Sequence, residues 1–188
     1  TMAKEEGAVA MVTSSTRNHD GTVFAQGGGA YKGTDPENFL DMAMGIEDYN
    51  TLQRILKAGM PVKVETEVKT KFFSDDLKGY NVIAEIPGTD PTLKDEIVMI
   101  GAHLDSWQAG TGATDNASGS AVMMEAMRIL KSLGVQPKRT IRIGLWSAEE
   151  QGLMGSRGYV SKTFGGVRGA AKLPEHDKFS AYYNIDNG

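Results

Sequence analysis

Cysteine is absent from the 188 residues. That excludes disulfides, thiolate metal ligands and a cysteine nucleophile, and it leaves the redox compartment open. Long apolar runs are missing as well, and none approaches the roughly 18 residues of a membrane-spanning helix. No stretch has the basic, apolar and small-residue succession of a signal peptide. Basic charge is not in excess: 20 lysines and arginines stand against 24 acids, for a net charge of -4. Such a balance offers no footprint for nucleic acid. The Gly27–Gly29 run lacks the lysine and following helix of a phosphate-binding loop. There is no internal repeat and no low-complexity tract. What is present is ordinary for a globular chain of one or two domains, 40% hydrophobic and 23% charged.

The hydrophobic pattern divides the chain. Gly7 to Ser15 reads as a buried strand entering a loop, and the Gly-, Asn-, Asp- and Thr-rich residues 16–38 read as a long surface loop. Tyr49, Leu52, Ile55 and Leu56 recur at helical spacing, which predicts a helix over Glu47–Ala58 stopped by Gly59 and Pro61. Val62, Val64, Thr66 and Val68 then alternate with Lys63, Glu65, Glu67 and Lys69, the pattern of a half-exposed strand. The polar stretch "SDDLKG" marks a boundary near residues 73–79, giving domains of 1–75 and 76–188. After it come a strand in "YNVIAEIPG", a continuous apolar strand in "EIVMIGAHL" and a helix in "NASGSAVMMEAMRILKSLG". A strand in "RTIRIGLWSAEE", a helix interrupted by Gly155 and Gly158, and a strand in "FSAYYNIDNG" complete the order. Strands alternating with helices predict an α/β fold with a partial doubly wound, mixed sheet. Ligands of such sheets sit at the carboxyl ends of the strands.

Those ends are where the acidic and histidine residues fall. His103 and Asp105 follow one strand, Asp115 lies in the Gly-rich loop after it, Glu149 and Glu150 follow the next, and Asp186 follows the last. The intervals from Asp115 to Glu150 and from Glu150 to Asp186 each fit one helix plus one strand. Gathered carboxylates repel and raise one another's pKa, and a cation removes that penalty. Imidazole with carboxylates and no thiolate suits zinc, or manganese or cobalt, better than magnesium or calcium. In His103-x-Asp105 the carboxylate can fix the orientation of a metal-binding imidazole. Each residue also has a plainer reading: a satisfied polar His103, Asp115 capping a helix, Glu149–Glu150 as a solvated helix start. Convergence at successive strand ends favours the metal site.

"GAHLDSW", "GATDNASG", "WSAEEQGLMGS" and "NIDNG" resemble, in order, metal-site motifs of the di-zinc exopeptidases of the aminopeptidase and glutamate-carboxypeptidase-like type. The stretch "LGVQPKRTIRIGLWSAEEQGL" is most similar to the carboxypeptidase Q branch. The resemblance implies that His103 and Asp186 bind one zinc, Glu150 the other, and that Asp115 bridges them. It implies Asp105 as the partner of His103 and Glu149 as general base, with a hydroxide held by two zinc ions attacking short peptides or dipeptides. It also implies a cis peptide bond after Asp115. Gly110 and Gly112 would let the loop curl back, and Ala117, Ser118 and Gly119 would keep the helix start thin.

Asn116 stands where many members carry a second aspartate, a change expected to matter little. The family's last histidine ligand has no counterpart before Gly188, and His19 and His176 read as surface residues. The second zinc site is thus expected to be incomplete, and the chain is read as an inactive fragment of a longer enzyme. "GAVAMVTSS", "GIEDYNTLQRILKAG" and "MPVKVETEVKTKFF" resemble the later part of a β-rich protease-associated domain. The resemblance implies a secreted or periplasmic parent whose leader lies outside this chain, with self-association into a homodimer left open. Rival readings are a single-zinc acyltransferase of the glutaminyl cyclase type, a non-catalytic receptor-like homologue, and a binding module served by the N-terminal domain. Aminopeptidase and carboxypeptidase readings stay equally open.

Overall fold

The computed structural model describes residues 2–14, 21–23, 34–36, 39–71, 73, 75–108 and 110–187. The chain forms two compact units, Thr1–Leu77 and Lys78–Gly188. Most of the loop expected over 16–38, with its glycine run and His19, lies outside the described residues. Among the described residues no helix is long and apolar enough to cross a membrane.

The first unit contains helix α1 (Met2–Glu5), strands β1 (Met11–Ser14) and β2 (Asp41–Met44), and helix α2 (Ile46–Lys57). β1 and β2 pair in parallel, with Met11 opposite Asp41. α2 forms where the periodicity predicts. Glu47 and Asp48 sit in its first turn and Arg54 and Lys57 in its last, matching the helix dipole. Gly59 ends it at a φ of 74°, while Met60 N–H reaches back to the Ile55 carbonyl (3.2 Å) and Gly59 N–H to Leu56 (2.9 Å). That is the left-handed C-terminal motif that glycine favours. Two expectations change here. β1 is not buried: its residues are exposed or half-buried, because it belongs to a two-stranded pair and α2 itself buries no residue. Residues 62–69 alternate in sequence but form no strand. Nearly all of them are exposed on both would-be faces, so alternation has no partner ladder or core to act upon.

The second unit holds strands β3 (Val82–Ile86), β4 (Ile97–His103), β5 (Thr140–Trp146) and β6 (Phe179–Asn184), with helices α3 (Gly119–Ser132) and α4 (Met154–Thr163). The sheet order is β3-β5-β4-β6. β3 runs antiparallel to β5, and β4 runs parallel to both β5 and β6. The chain therefore steps from β4 to β5 on one side and crosses back to β6 on the other. With crossovers of one hand, the two helices must then cover opposite faces. The core shows this. Ala102, Ile143 and Leu145 pack with Met123 of α3, while Ile97, Met99, Trp146 and Phe164 pack with Tyr159 of α4. β4, covered on both faces, reads in sequence as an apolar run broken only by Gly101 before His103.

Two glycines shape the α4 face. A Cβ on Gly144 would lie 2.3 Å from the Trp146 ring. A Cβ on Gly101 would lie 2.5 Å from Tyr182 Oη and 2.9 Å from Trp146 Nε1. The indole lies back over this bare strip, buried, and donates to Tyr182 Oη at 2.6 Å.

Candidate metal centre

β4 is the strand about which the sheet order reverses, and its last residue is His103. A crevice opens at such a point because the loops leaving the flanking strands diverge. His103 is only 2% exposed. Its Nδ1 lies 3.0 Å from the Asp105 carbonyl oxygen. A carbonyl only accepts, so Nδ1 carries a proton, which leaves Nε2 to face the crevice. Nε2 meets Asp115 Oδ1 at 3.0 Å, Asp186 Oδ1 at 3.6 Å and Glu149 Oε2 at 4.0 Å.

Asp115 arrives on the irregular turn Ala113–Ser118 that precedes α3. Gly112 enters that turn at a φ of 65°, and a Cβ there would stand 2.7 Å from the Ser106 side chain. The Asp115–Asn116 peptide bond is cis. Asn116 is fully buried and its amide donates to the Ile185 carbonyl at 2.8 Å, joining this turn to the segment that carries Asp186. Ser120 Oγ donates to the His103 carbonyl at 2.8 Å, tying α3 to the end of β4. No side chain caps α3, so Asp115 faces the imidazole instead of a helix end. Glu149 and Glu150 lie before α4, whose first residue is Met154. They are half-buried, not a solvated helix start.

All the residues singled out at the strand ends thus come together. His103, Asp115 and Glu150 form one group whose ligand atoms lie within 4.8 Å of one another, and His103, Glu149 and Asp186 form a second. Burial opposes a charge on His103, but Glu149, Asp186, Asp105 and Asp115 outweigh it and raise its pKa. Burial first, and the neighbouring carboxylates second, push Glu149 and Glu150 upward against the pull of His103. Glu150 Oε1 is buried with no hydrogen-bond partner among the described residues. An acceptor in that state, inside a carboxylate cluster with one imidazole, fits a divalent cation. The nitrogen and oxygen donors, without sulfur, suit zinc.

Some roles were not visible in sequence. Asp105 was read as the carboxylate partner of His103, and its Oδ1 lies 3.5 Å from Nδ1, within ion-pair range. That carboxylate also accepts the backbone N–H groups of Glu149 (3.0 Å) and Glu150 (3.2 Å). Asn81 accepts from Ser147 N–H at 3.1 Å and donates to the Gly155 carbonyl at 2.9 Å, holding both ends of the same loop. Nothing in the local sequence signals either link. His176 is half-buried, away from the crevice, with Nδ1 3.3 Å from Asp177 Oδ1.

The profile of peptidase family M28 matches residues 81–188. Carboxypeptidase Q of Mus musculus is 34% identical over 158 residues, covering 84% of this chain and 33% of that protein. Leupeptin-inactivating enzyme 1 of Streptomyces exfoliatus is 42% identical over 146 residues, covering 77% of this chain and 30% of that protein. The chain thus spans about a third of the length of these curated relatives. The crystal structure of a peptidase M28 precursor from Shewanella amazonensis superposes with a TM-score of 0.72 at 31% identity, covering 99% of this chain and 39% of that one.

Proposed function

Because the chain belongs to peptidase family M28, we propose that it carries the metal-binding heart of an exopeptidase that cleaves short peptides or dipeptides. The observation behind this reading is the pair of donor groups that share His103, each within 4.8 Å. The name of the relative carboxypeptidase Q speaks for the same chemistry. On this reading residues 76–188 belong to the catalytic domain and residues 1–75 to a protease-associated domain.

His103 and Asp186 would hold one zinc and Glu150 the other, with Asp115 available to both. Bound there, zinc supplies Lewis-acid polarisation of the scissile carbonyl and lowers the pKa of water to near neutrality. Glu149 takes the proton from the attacking water and delivers it to the leaving amine. Its raised proton affinity, set first by burial and then by Asp186, Asp105 and Asp115, suits a group that must hold a proton between two steps. Asp115 and Asp186 reach the imidazole from separate segments held together by Asn116, which supports their proposed roles as ligands of one centre.

The test uses the whole protein. Metal analysis and zinc titration are expected to give two ions per molecule. Glu149→Gln is expected to keep both and to lower dipeptide hydrolysis about 10²–10⁴-fold. Undiminished hydrolysis by that variant would remove Glu149 as the base. A single zinc per molecule would instead favour the acyltransferase reading.

A further inference from the structure

Ala148 adopts a φ of 52°, a left-handed conformation that residues with a Cβ rarely take. It stands directly before Glu149 and Glu150. A left-handed residue in a turn directs the N–H groups that follow it into one concave cradle for an anion. Here the anion is a side chain of the protein. Asp105 Oδ1 takes the Glu149 N–H at 3.0 Å and Oδ2 takes the Glu150 N–H at 3.2 Å. Each carboxylate oxygen serves one amide, which uses the negative charge where two donors converge.

The imidazole does not compete for that carboxylate on equal terms. His103 Nδ1 is 3.0 Å from the Asp105 carbonyl and 3.5 Å from its Oδ1. One residue therefore acts through two groups: its backbone carbonyl accepts from the imidazole, and its carboxylate, in ion-pair range of the same nitrogen, holds the loop. Asn81 holds that loop at Ser147 and Gly155. Within the loop, Gly152 and Leu153 N–H reach back to the Glu149 carbonyl at 2.7 and 2.8 Å. Asp105 supplies the link from this loop to the end of β4.

We propose that Asp105 is a positioning residue whose carboxylate clamps the Glu149–Glu150 backbone in the turn that follows left-handed Ala148, so fixing where the base and the metal ligand stand relative to His103. The clamp itself stands on backbone geometry; only its consequence for catalysis rests on the peptidase reading. The Asp105 carbonyl, 3.0 Å from His103 Nδ1, is untouched by replacement of the side chain.

Asp105→Asn is the discriminating variant, because a carboxamide offers one oxygen where the clamp needs two and turns an N–H₂ toward the second amide. Amide hydrogen exchange of the metal-free chain, followed by NMR, is expected to quicken about tenfold or more at Glu149 or Glu150. The Leu145 amide in β5 and the Nδ1-protonated tautomer of His103, read from its ring nitrogen shifts, are expected to stay as in the wild type. In the whole protein the variant is expected to lower kcat with KM little changed. Unaltered exchange at both glutamates, or a change of His103 tautomer without change at the glutamates, overturns the proposal. Where the variant fails to fold, the wild type decides: couplings across the hydrogen bonds from the Glu149 and Glu150 amide nitrogens to Asp105 Cγ support the clamp, and their absence overturns it. Failure of the wild type to bind zinc would strike the peptidase reading and leave these amide measurements standing.

Discussion

Gly119→Ala sets two effects of opposite sign against each other. Gly119 is the first residue of α3 and has an ordinary helical φ of -62°. Judged by propensity alone, alanine there should stabilise by about 1 kcal/mol, through helix preference and a less disordered unfolded chain. The surroundings forbid it. The new Cβ would lie 2.2 Å from Asn116 Oδ1, 2.9 Å from Asn116 Cγ and 2.9 Å from the Ile185 carbonyl oxygen. A polar side-chain tip usually yields to such an intrusion, but Asn116 is 0% exposed and its amide is bonded to Ile185 at 2.8 Å. Overpacking costs about 1–3 kcal/mol. Displacing the amide from the Ile185 carbonyl costs about 1–3 kcal/mol more. The net expectation is a loss of about 3 kcal/mol. With a urea m-value of about 2 kcal/mol/M, the midpoint falls by about 1.5 M. The same displacement loosens the segment of Asp115 from that of Asp186, so on the proposed ligand set zinc affinity is expected to fall too. Equilibrium urea unfolding with zinc titration checks both. A midpoint equal to or above the wild type's, with unchanged zinc affinity, would refute the reasoning.

Gly101→Ala places its Cβ 2.5 Å from Tyr182 Oη and 2.9 Å from Trp146 Nε1; it is expected to cost about 2–4 kcal/mol and to shift Trp146 fluorescence to the red, and an unshifted spectrum at unchanged stability would count against the packing described. The pH dependence of zinc stabilisation has a definite sign. Without metal, Glu149 and Glu150 are raised above 4.5 and His103 above 6.5, so the folded chain holds more protons than the unfolded one and loses stability as pH rises through those ranges. On the proposed ligand set zinc displaces the protons of His103 and Glu150, so its gain in Tm, about 5–11 °C at a hundredfold excess over Kd, should be larger at about pH 8 than at about pH 5. A gain that is flat or falls with pH in a thermal melt would contradict this.

The apolar run of β4, the stop at Gly59, and the acids and histidine after successive strands were legible because each depends on local pattern. Gly134, at a φ of 64°, ends α3 with the same backbone motif as Gly59, Val135 N–H reaching the Leu130 carbonyl at 3.1 Å. The alternation at residues 62–69 was equally legible and led to a strand that is not there. A period of two shows only that one face could be buried; a ladder needs a second chain segment to bind. The destination of the Asp105 carboxylate was hidden for a related reason. His-x-Asp suggests a partner two residues away, but the donors that claim the carboxylate come from the far side of a helix and a strand. Ala148 gives no hint either, since an alanine held at positive φ looks in sequence like any other alanine.

Convergence at strand ends needs more than topology. Glu149 and Glu150 leave β5 on one side of β4, and Asp186 leaves β6 on the other, so the distance between them depends on two independent registers. A slip of one residue in either would turn its side chains to the opposite face. β6 already shifts register against β4 between Ile97 and Val98, so the alignment at the far end cannot be inherited from the near one. The link from Trp146 on β5 to Tyr182 on β6 reaches across β4 at 2.6 Å, and only a residue without a Cβ at position 101 leaves it room. Tyr182 Oη in turn donates to Asn184 Oδ1 at 2.6 Å, two residues before Asp186. The bare strip on β4 therefore couples the two registers directly. The glycine that seems merely to interrupt an apolar strand is what lets the two outer strands agree on where the metal ligands meet.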